Sequence, residues 1–317
     1  MKKIKVGVVG VGYFGQFHVE KYAHIKDVEL VGVVDVDAPR VRDIARRYRT
    51  QSFSHHADLF NRVQAVSIAV PTPSHYLIAK EFFLHGIDIL LEKPISTTVE
   101  EADALIQLAH SKGLIFQVGH VERFNGALSG LEGKIQHPRF IESHRLGPFP
   151  GRGADVDVVL DLMIHDLDIL FSLVHSKVKR FQAVGMPLLT HTSDMANVHL
   201  EFENGCRANL TASRVSNEKV RKTRIFQPDG IFSIDYLFQK LSFFKKAVPL
   251  GKEDHPEMVM EDIPVQKIDP LEAEIHSFLQ SVRNRRPVRV SGSDGKRALE
   301  MALQIIQKMD DLNKKKK

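Results

Sequence analysis

Short apolar runs alternate with amphipathic stretches through the first 120 residues of the chain. Residues 4–9, 28–34, 65–70, 87–91 and 115–118 are too short for core helices and lack a polar face, which predicts strands buried on both sides. Between them, residues 14–23, 40–48, 76–85 and 100–111 carry helical patterns. Buried strands separated by helices predict an α/β fold with a doubly wound parallel sheet.

The pattern changes after Gly119. A strand at 140–145 leads through a Gly/Pro-rich loop at 147–153 to a strongly apolar helix at 155–173. Strands are predicted at 180–184, 196–202, 207–213, 223–226 and 231–236, with tight turns at Asn204-Gly205 and Asp229-Gly230. Two helices, 271–283 and 294–311, close the chain. This predicts a second, α+β domain on a mostly antiparallel sheet. The expected division is 1–120, 121–313 and a basic tail at 314–317.

The chain has 317 residues, 43% hydrophobic and 26% charged, in the range of globular proteins with two domains of ordinary size. Cys206 is the single cysteine, which rules out a disulfide framework and suits a reducing cytoplasm. The start, Met1-Lys2-Lys3-Ile4, faintly imitates a secretory leader, but Gly7, Gly10 and Gly12 break the apolar run that follows. No stretch reads as a membrane span. The formal charge is +5, and Lys314 to Lys317 account for four of the positive charges. No basic helix or aromatic interleaving points to nucleic acid.

Gly10-Val11-Gly12-Tyr13-Phe14-Gly15 lies between a predicted strand and a predicted helix. In that context Gly10 permits the tight turn, Gly12 lets backbone approach a pyrophosphate, and Gly15 allows close packing of helix on strand. Asp35 ends the second strand, where an acid accepts bonds from the adenosine ribose hydroxyls and repels a 2′-phosphate. NAD is therefore favoured over NADP. Asp37 reinforces this, while Arg40 and Arg42 are the residues that could accommodate a phosphate. Pro71-Thr72-Pro73-Ser74-His75 follows an apolar strand and falls at the carboxyl edge of the sheet, where ligands bind. His75 reads equally as a helix-entry residue or a contact to cofactor or substrate.

Asp157, Asp161, His165 and Asp168 share one stripe of the apolar helix. Buried ionisable groups are costly, so the stripe marks a structural polar network, a site of chemistry, or a metal site; the last lacks further ligands. Oxidation of an alcohol by NAD needs a base for the hydroxyl proton and a cation beside the developing alkoxide. His165 and Lys93, in Glu92-Lys93-Pro94 at the end of a strand, are a sufficient pair.

The glycine loop, Asp35, the 71–75 loop, Glu92-Lys93-Pro94, Arg123-Phe124-Asn125 and the Asp161/His165 spacing together resemble the glucose-fructose oxidoreductase/inositol dehydrogenase/rhizopine-catabolism (Gfo/Idh/MocA) family. The resemblance covers nearly the whole chain. It implies a Rossmann domain followed by an open mixed sheet that forms a homodimer or homotetramer interface. It also implies cofactor contacts from the glycine loop with Tyr13 and Phe14, from Pro71, Thr72 and His75, and from Glu92 and Lys93. Lys93 is implied to bond the reacting hydroxyl, His165 to be the general base, and Asp161 to contact substrate or orient the pair. The chain departs from the family at Gly151-Arg152-Gly153-Ala154, where many members carry three glycines. Arg152 there reads as a hint of an anionic substrate or as a surface arginine.

Residues 119–125 and 145–148 resemble one branch of the family, the UDP-N-acetylglucosamine 3-dehydrogenases. That branch implies oxidation of the sugar 3-hydroxyl to a ketone, which a pyridoxal-phosphate aminotransferase converts to a 3-amino sugar for lipid A. A nucleotide diphosphate needs cations, and Arg123, Arg145, Arg152, Arg214 and Arg221 are the candidates. Two alternatives stand beside this: a dehydrogenase of a free sugar or inositol, and a non-catalytic NAD-binding sensor. The sensor would typically have lost Lys93 or His165, and both are present.

Overall fold

Six parallel strands in the order β3-β2-β1-β4-β5-β6 make the first sheet. The computed structural model describes residues 3–149, 151, 156–247 and 257–314. In chain order the first sheet and its helices are β1 (Ile4–Val9), α1 (Gly15–His24), β2 (Val28–Val34), α2 (Ala38–Arg47), β3 (Gln51–Phe53), β4 (Ala65–Ile68), α3 (His75–Leu84), β5 (Asp88–Glu92), α4 (Val99–Ser111) and β6 (Phe116–Gly119). The strand order reverses direction at β1, so β1 and β4 flank the point where doubly wound folds bind ligands. β3 has only three residues, two of them exposed, and so carries no apolar run that the sequence pattern could show.

The second part comprises α5 (Gly126–Ser129), β7 (Phe140–Leu146), α6 (Ile164–Leu173), β8 (Val178–Met186), β9 (Met195–Phe202), β10 (Arg207–Ser213), β11 (Val220–Gln227), β12 (Gly230–Asp235), β13 (Lys240–Lys246) and β14 (Met258–Ile263). These eight strands form a sheet in the order β14-β13-β12-β11-β7-β10-β9-β8. Its pairs are antiparallel except β7 with β10, which run parallel. Asn204-Gly205 turns β9 into β10 with Gly205 at φ +84, a left-handed conformation suited to glycine. One face buries Val198, Leu200, Ala208, Leu210 and Ile225 against the helices. The opposite face reads Val184, Asn197, Thr211, His144, Lys222 and Asp235 along one row of register partners.

The last helices, α7 (Pro270–Asn284) and α8 (Gly292–Lys314), correct the domain division. The chain forms two compact units, Met1–Val121 with Asp269–Leu299, and Glu122–Ile268 with Glu300–Lys317. Residues 121–313 are therefore not one continuous second domain. The cause is the apolar stripe of α7, since Ile275, Phe278, Leu279 and Val282 join the core of Val6, Val8, Val19 and Tyr22. Ion pairs fix its ends, Lys21 Nζ to Asp269 at 2.6 Å and Arg285 Nη1 to Asp88 at 2.6 Å. The later part of α8 instead packs Met301, Ala302, Ile305 and Met309 into the second core. Of the basic tail, residues 315–317 lie outside the described ones.

Candidate active site

The glycine loop closes tightly on itself. Gly10 has φ +83, and a Cβ there would lie 2.5 Å from the Ala69 carbonyl oxygen. A Cβ on Gly15 would collide with the Gly10 carbonyl. Gly12 differs: a Cβ there would meet only Arg40 Nη1, at 4.0 Å. Nothing in the protein excludes a side chain at Gly12, so the open space fits an approaching pyrophosphate. Tyr13 and Phe14 beside it are half exposed, at 53% and 56%, and stack edge to face.

Asp35 braces the loop from β2. Its Oδ2 accepts from Val11 N–H at 2.8 Å, and its Oδ1 accepts from Asp37 N–H at 2.9 Å. Each oxygen keeps a further lone pair for a ribose hydroxyl. Arg40 is held by acids, 2.7 Å from Asp37 and 3.6 Å from Asp35. Asp35→Ala is expected to raise the NADH dissociation constant about 10- to 100-fold, the range for a bond to a charged group. The same change narrows the preference for NAD over NADP. Titrating NADH fluorescence, in a chain without tryptophan, measures both.

At the carboxyl edge, Pro71 leads into a 3₁₀ turn at Thr72–Ser74 and then α3. His75 is 1% exposed, with Nδ1 2.8 Å from the Pro94 carbonyl and Nε2 2.9 Å from the Val70 carbonyl. Burial holds its pKa below the usual histidine value, against the pull of both carbonyls. A neutral imidazole has one N–H and donates to one of these carbonyls, and the ring sits buried between the 70–75 loop and the cis Lys93-Pro94 peptide, which makes His75 a packing residue of the loop rather than one reaching for cofactor. Lys93 is half-buried at the end of β5. Glu92 turns back, its Oε2 accepting from Lys93 N–H at 3.3 Å.

Asp161 and His165 belong to the second unit. The expected single α-helix over 155–173 is a π-helical turn, Val159–Met163, running into α6. Such turns cluster at functional sites. The acids on this segment divide by partner. Asp157 lies ahead of the turn, accepting from Val159 N–H at 2.9 Å and Ser193 N–H at 3.1 Å, so it is a brace and not part of the stripe. Asp168, 2% exposed, binds Arg123 Nη1 at 3.2 Å. Asp166, absent from the expected stripe, is buried and binds Arg145. Asp161 and His165 are both half-buried.

Arg145 corrects an expectation. It is 2% exposed, gripped by Asp166 through Nε at 2.9 Å and Nη2 at 3.1 Å, and by Glu122 through Nη1 at 2.9 Å. Burial would lower its pKa, but the two carboxylates hold it well above the usual value. A guanidinium so committed is scaffold, not a diphosphate clamp. Arg214 is likewise internal, 1% exposed and bonded to Asp194 at 2.8 Å, the Val156 carbonyl at 2.6 Å, Thr190 at 2.9 Å and Thr192 at 3.0 Å. Asn125 is structural too, capping α5 and donating to the Tyr236 carbonyl at 3.1 Å. Arg221 remains at the surface of the network, its side chain 37% exposed and 3.4 Å from Glu122. Burial and the charge of Arg145 lower its pKa, opposed by Glu122, Asp166 and Asp161, so it lies within the field of Asp161. Arg152 falls outside the described residues. Among the described residues, no cluster of three or more acids, histidines or cysteines could hold a metal.

The cofactor loop, the acid at the end of β2 and the half-buried lysine at the sheet edge define a dinucleotide-dependent oxidoreductase. Residues 4–120 match the model of the oxidoreductase family with an NAD-binding Rossmann fold, and residues 126–233 match the GFO/IDH/MocA C-terminal domain. The chain belongs to the Gfo/Idh/MocA family of NAD-binding oxidoreductases. It is 38% identical over 306 residues to the UDP-N-acetylglucosamine 3-dehydrogenase of Acidithiobacillus ferrooxidans, covering 96% of this chain and 97% of that protein. A solved structure of that dehydrogenase superposes with a TM-score of 0.91 at 37% identity, over 98% of this chain and 99% of that one. The inositol 2-dehydrogenase of Burkholderia cenocepacia (strain HI2424) is 26% identical over 224 residues, 65% of this chain and 66% of that protein.

Proposed function

We propose that this enzyme oxidises the 3-hydroxyl of UDP-N-acetylglucosamine to a ketone with NAD. The observation that carries this reading is the similarity to the Acidithiobacillus dehydrogenase along the full length of both chains. Bound NAD supplies the hydride acceptor. Lys93 bonds the reacting hydroxyl and stabilises negative charge as its proton leaves. His165 takes that proton, and Asp161 orients the base or the sugar. With Arg145 and Arg214 internal, Arg221 is the described cation best placed for a phosphate.

The test is NADH formation at 340 nm from NAD and UDP-N-acetylglucosamine, with an amino donor and a pyridoxal-phosphate aminotransferase to draw off the ketone. Signal that is absent with free N-acetylglucosamine supports the reading. Turnover of myo-inositol or a free hexose in its place overturns the nucleotide-sugar assignment and favours the free-sugar alternative. The product chemistry places the enzyme ahead of that aminotransferase, in a route to 3-amino sugars of lipid A. A cytoplasmic location accords with the lone free thiol of Cys206 and with the absence, among the described residues, of a helix long and apolar enough to cross a membrane.

The sheet face away from the core supports a homodimer or homotetramer. It carries exposed Val184 and Met186 on one edge strand and exposed Met258 and Met260 on the other. Light scattering on the eluting protein is expected to give a dimer or tetramer mass. Val184→Glu combined with Met186→Glu is expected to shift it toward monomer, because two buried charges per copy oppose association.

A further inference from the structure

A polar chain crosses the interior of the first unit and ends at Glu92. Tyr22 Oη lies 2.8 Å from Ser67 Oγ, Ser67 Oγ lies 3.2 Å from His18 Nδ1, and His18 Nε2 lies 3.0 Å from Glu92 Oε1. Tyr22 and His18 are each 1% exposed and Ser67 is 0% exposed, while the Glu92 side chain is 15% exposed. An imidazole protonated on Nε2 lets every donor meet an acceptor: Tyr22 to Ser67, Ser67 to His18, His18 to Glu92. The order Ser-His-Glu is that of a nucleophilic triad, but a fully buried Ser67 cannot be reached by an acyl group. Only the Glu92 end meets the site.

The elements involved give this chain its meaning. His18 stands on α1, three residues beyond Gly15 of the dinucleotide loop, and Ser67 stands on β4 between β1 and β5. Glu92 closes β5 and accepts from the Lys93 backbone N–H. We propose that His18 is a positioning residue for the reaction: by holding the Glu92 carboxylate it fixes the backbone from which Lys93 reaches the substrate hydroxyl, and links that backbone to the cofactor helix. The groups facing Glu92 are the His18 ring from α1 and the Lys93 ammonium beside it. Burial pushes the Glu92 carboxyl up, and the hydrogen bond from His18 with the charge of Lys93 outweighs it, so the group stays below its ordinary value.

The proposal rests on the assignment of Lys93 to the reacting hydroxyl. Its test is a cycle of His18→Ala, Glu92→Gln and the double variant, read as kcat, KM for NAD and thermal stability. His18→Ala is expected to lower kcat about 10- to 100-fold, as small displacements of a reacting group do, with KM for NAD near that of the parent. On the Glu92→Gln background the same change is expected to cost nothing further in kcat. Losses that multiply, or an unchanged kcat in His18→Ala, overturn the proposal. If His18→Ala does not fold, His18→Gln and His18→Asn carry the test. Glutamine places a donor at the level of Nε2 and is expected to retain turnover; asparagine ends at the level of Nδ1 and is expected to lose it. Equal activity of the two overturns the proposal. The stability arm needs no substrate: if the parent turns over no sugar, the functional reading fails, and additive stability effects of His18→Ala and Glu92→Gln would separately overturn the pairing.

Discussion

Replacing Lys93 with alanine is expected to lower kcat by about 10³-fold while NADH affinity stays within a small factor of the parent. Lys93 follows β5 at the carboxyl edge of the sheet, half-buried, with the carboxylate of Glu92 turned onto its own N–H. The proposed contacts to the cofactor's phosphates and ribose fall to other residues, the open 10–15 loop and Asp35, which braces that loop through Val11 N–H. Removing the ammonium therefore removes charge stabilisation that matters as the alkoxide forms, an effect of about 10²- to 10³-fold for a single preorganised donor. Loss of its share in proton transfer places the expectation at the upper end. Fluorescence titration and stopped-flow NADH formation check the two halves. A variant with intact kcat would remove Lys93 from the chemistry, and one that loses NADH binding would make it a cofactor residue.

Arg145→Ala is expected to cost about 3–5 kcal/mol of stability, because it strands two buried carboxylates that its guanidinium now satisfies. Glu122 would keep Arg221 at 3.4 Å and Asn125 at 3.3 Å, but Asp166 would lose both of its bonds to Arg145. For a unit of this size the melting temperature falls on the order of 10 °C. The effect depends on pH with a definite sign. Burial pushes the Glu122 carboxyl up and the Arg145 charge outweighs it, so its pKa is depressed in the folded parent. Its stabilising contribution is then present above the unfolded carboxyl value and lost as pH falls through the folded one. The deficit of Arg145→Ala should therefore be largest at neutral pH and shrink as pH falls below the ordinary glutamate value toward the depressed folded one. Thermal melts from about pH 7 down to about pH 3 measure it, the window opening near the usual glutamate value of about 4.3 and running below it. Raised KM for a nucleotide sugar with unchanged stability would instead restore the diphosphate-clamp reading.

The contrast between these two residues shows what the sequence could carry. The parallel sheet and glycine loop were legible because their signals are local: apolar runs such as Ile4–Val9, and glycines whose roles follow from the turn they occupy. Arg145 and Arg214 were legible as cations but not as scaffold, since the partners that neutralise them stand 20 or more positions away, Asp166 at 21, Glu122 at 23 and Asp194 at 20. Counting an α-helical stripe back from His165 reached Asp157, yet the Val159–Met163 turn is π, and Asp157 faces Ser193 instead. Asp166 fell off the stripe for the same reason of assumed rotation. His18 and Ser67 gave no signal, one being a histidine on an ordinary helix that also carries His24, and the other a single serine in an apolar strand. The return of α7 to the first unit was invisible because an amphipathic stripe states that a helix is covered, not by what.

The measurement that bears most directly on the central claim is hydride transfer from UDP-N-acetylglucosamine carrying deuterium at C3. The account predicts that the deuterium appears in the reduced nicotinamide, with a slowed rate under single-turnover conditions, and that Lys93→Ala loses both. Reduced cofactor formed without deuterium would place the oxidation at another carbon, and no transfer from this substrate would contradict the assignment.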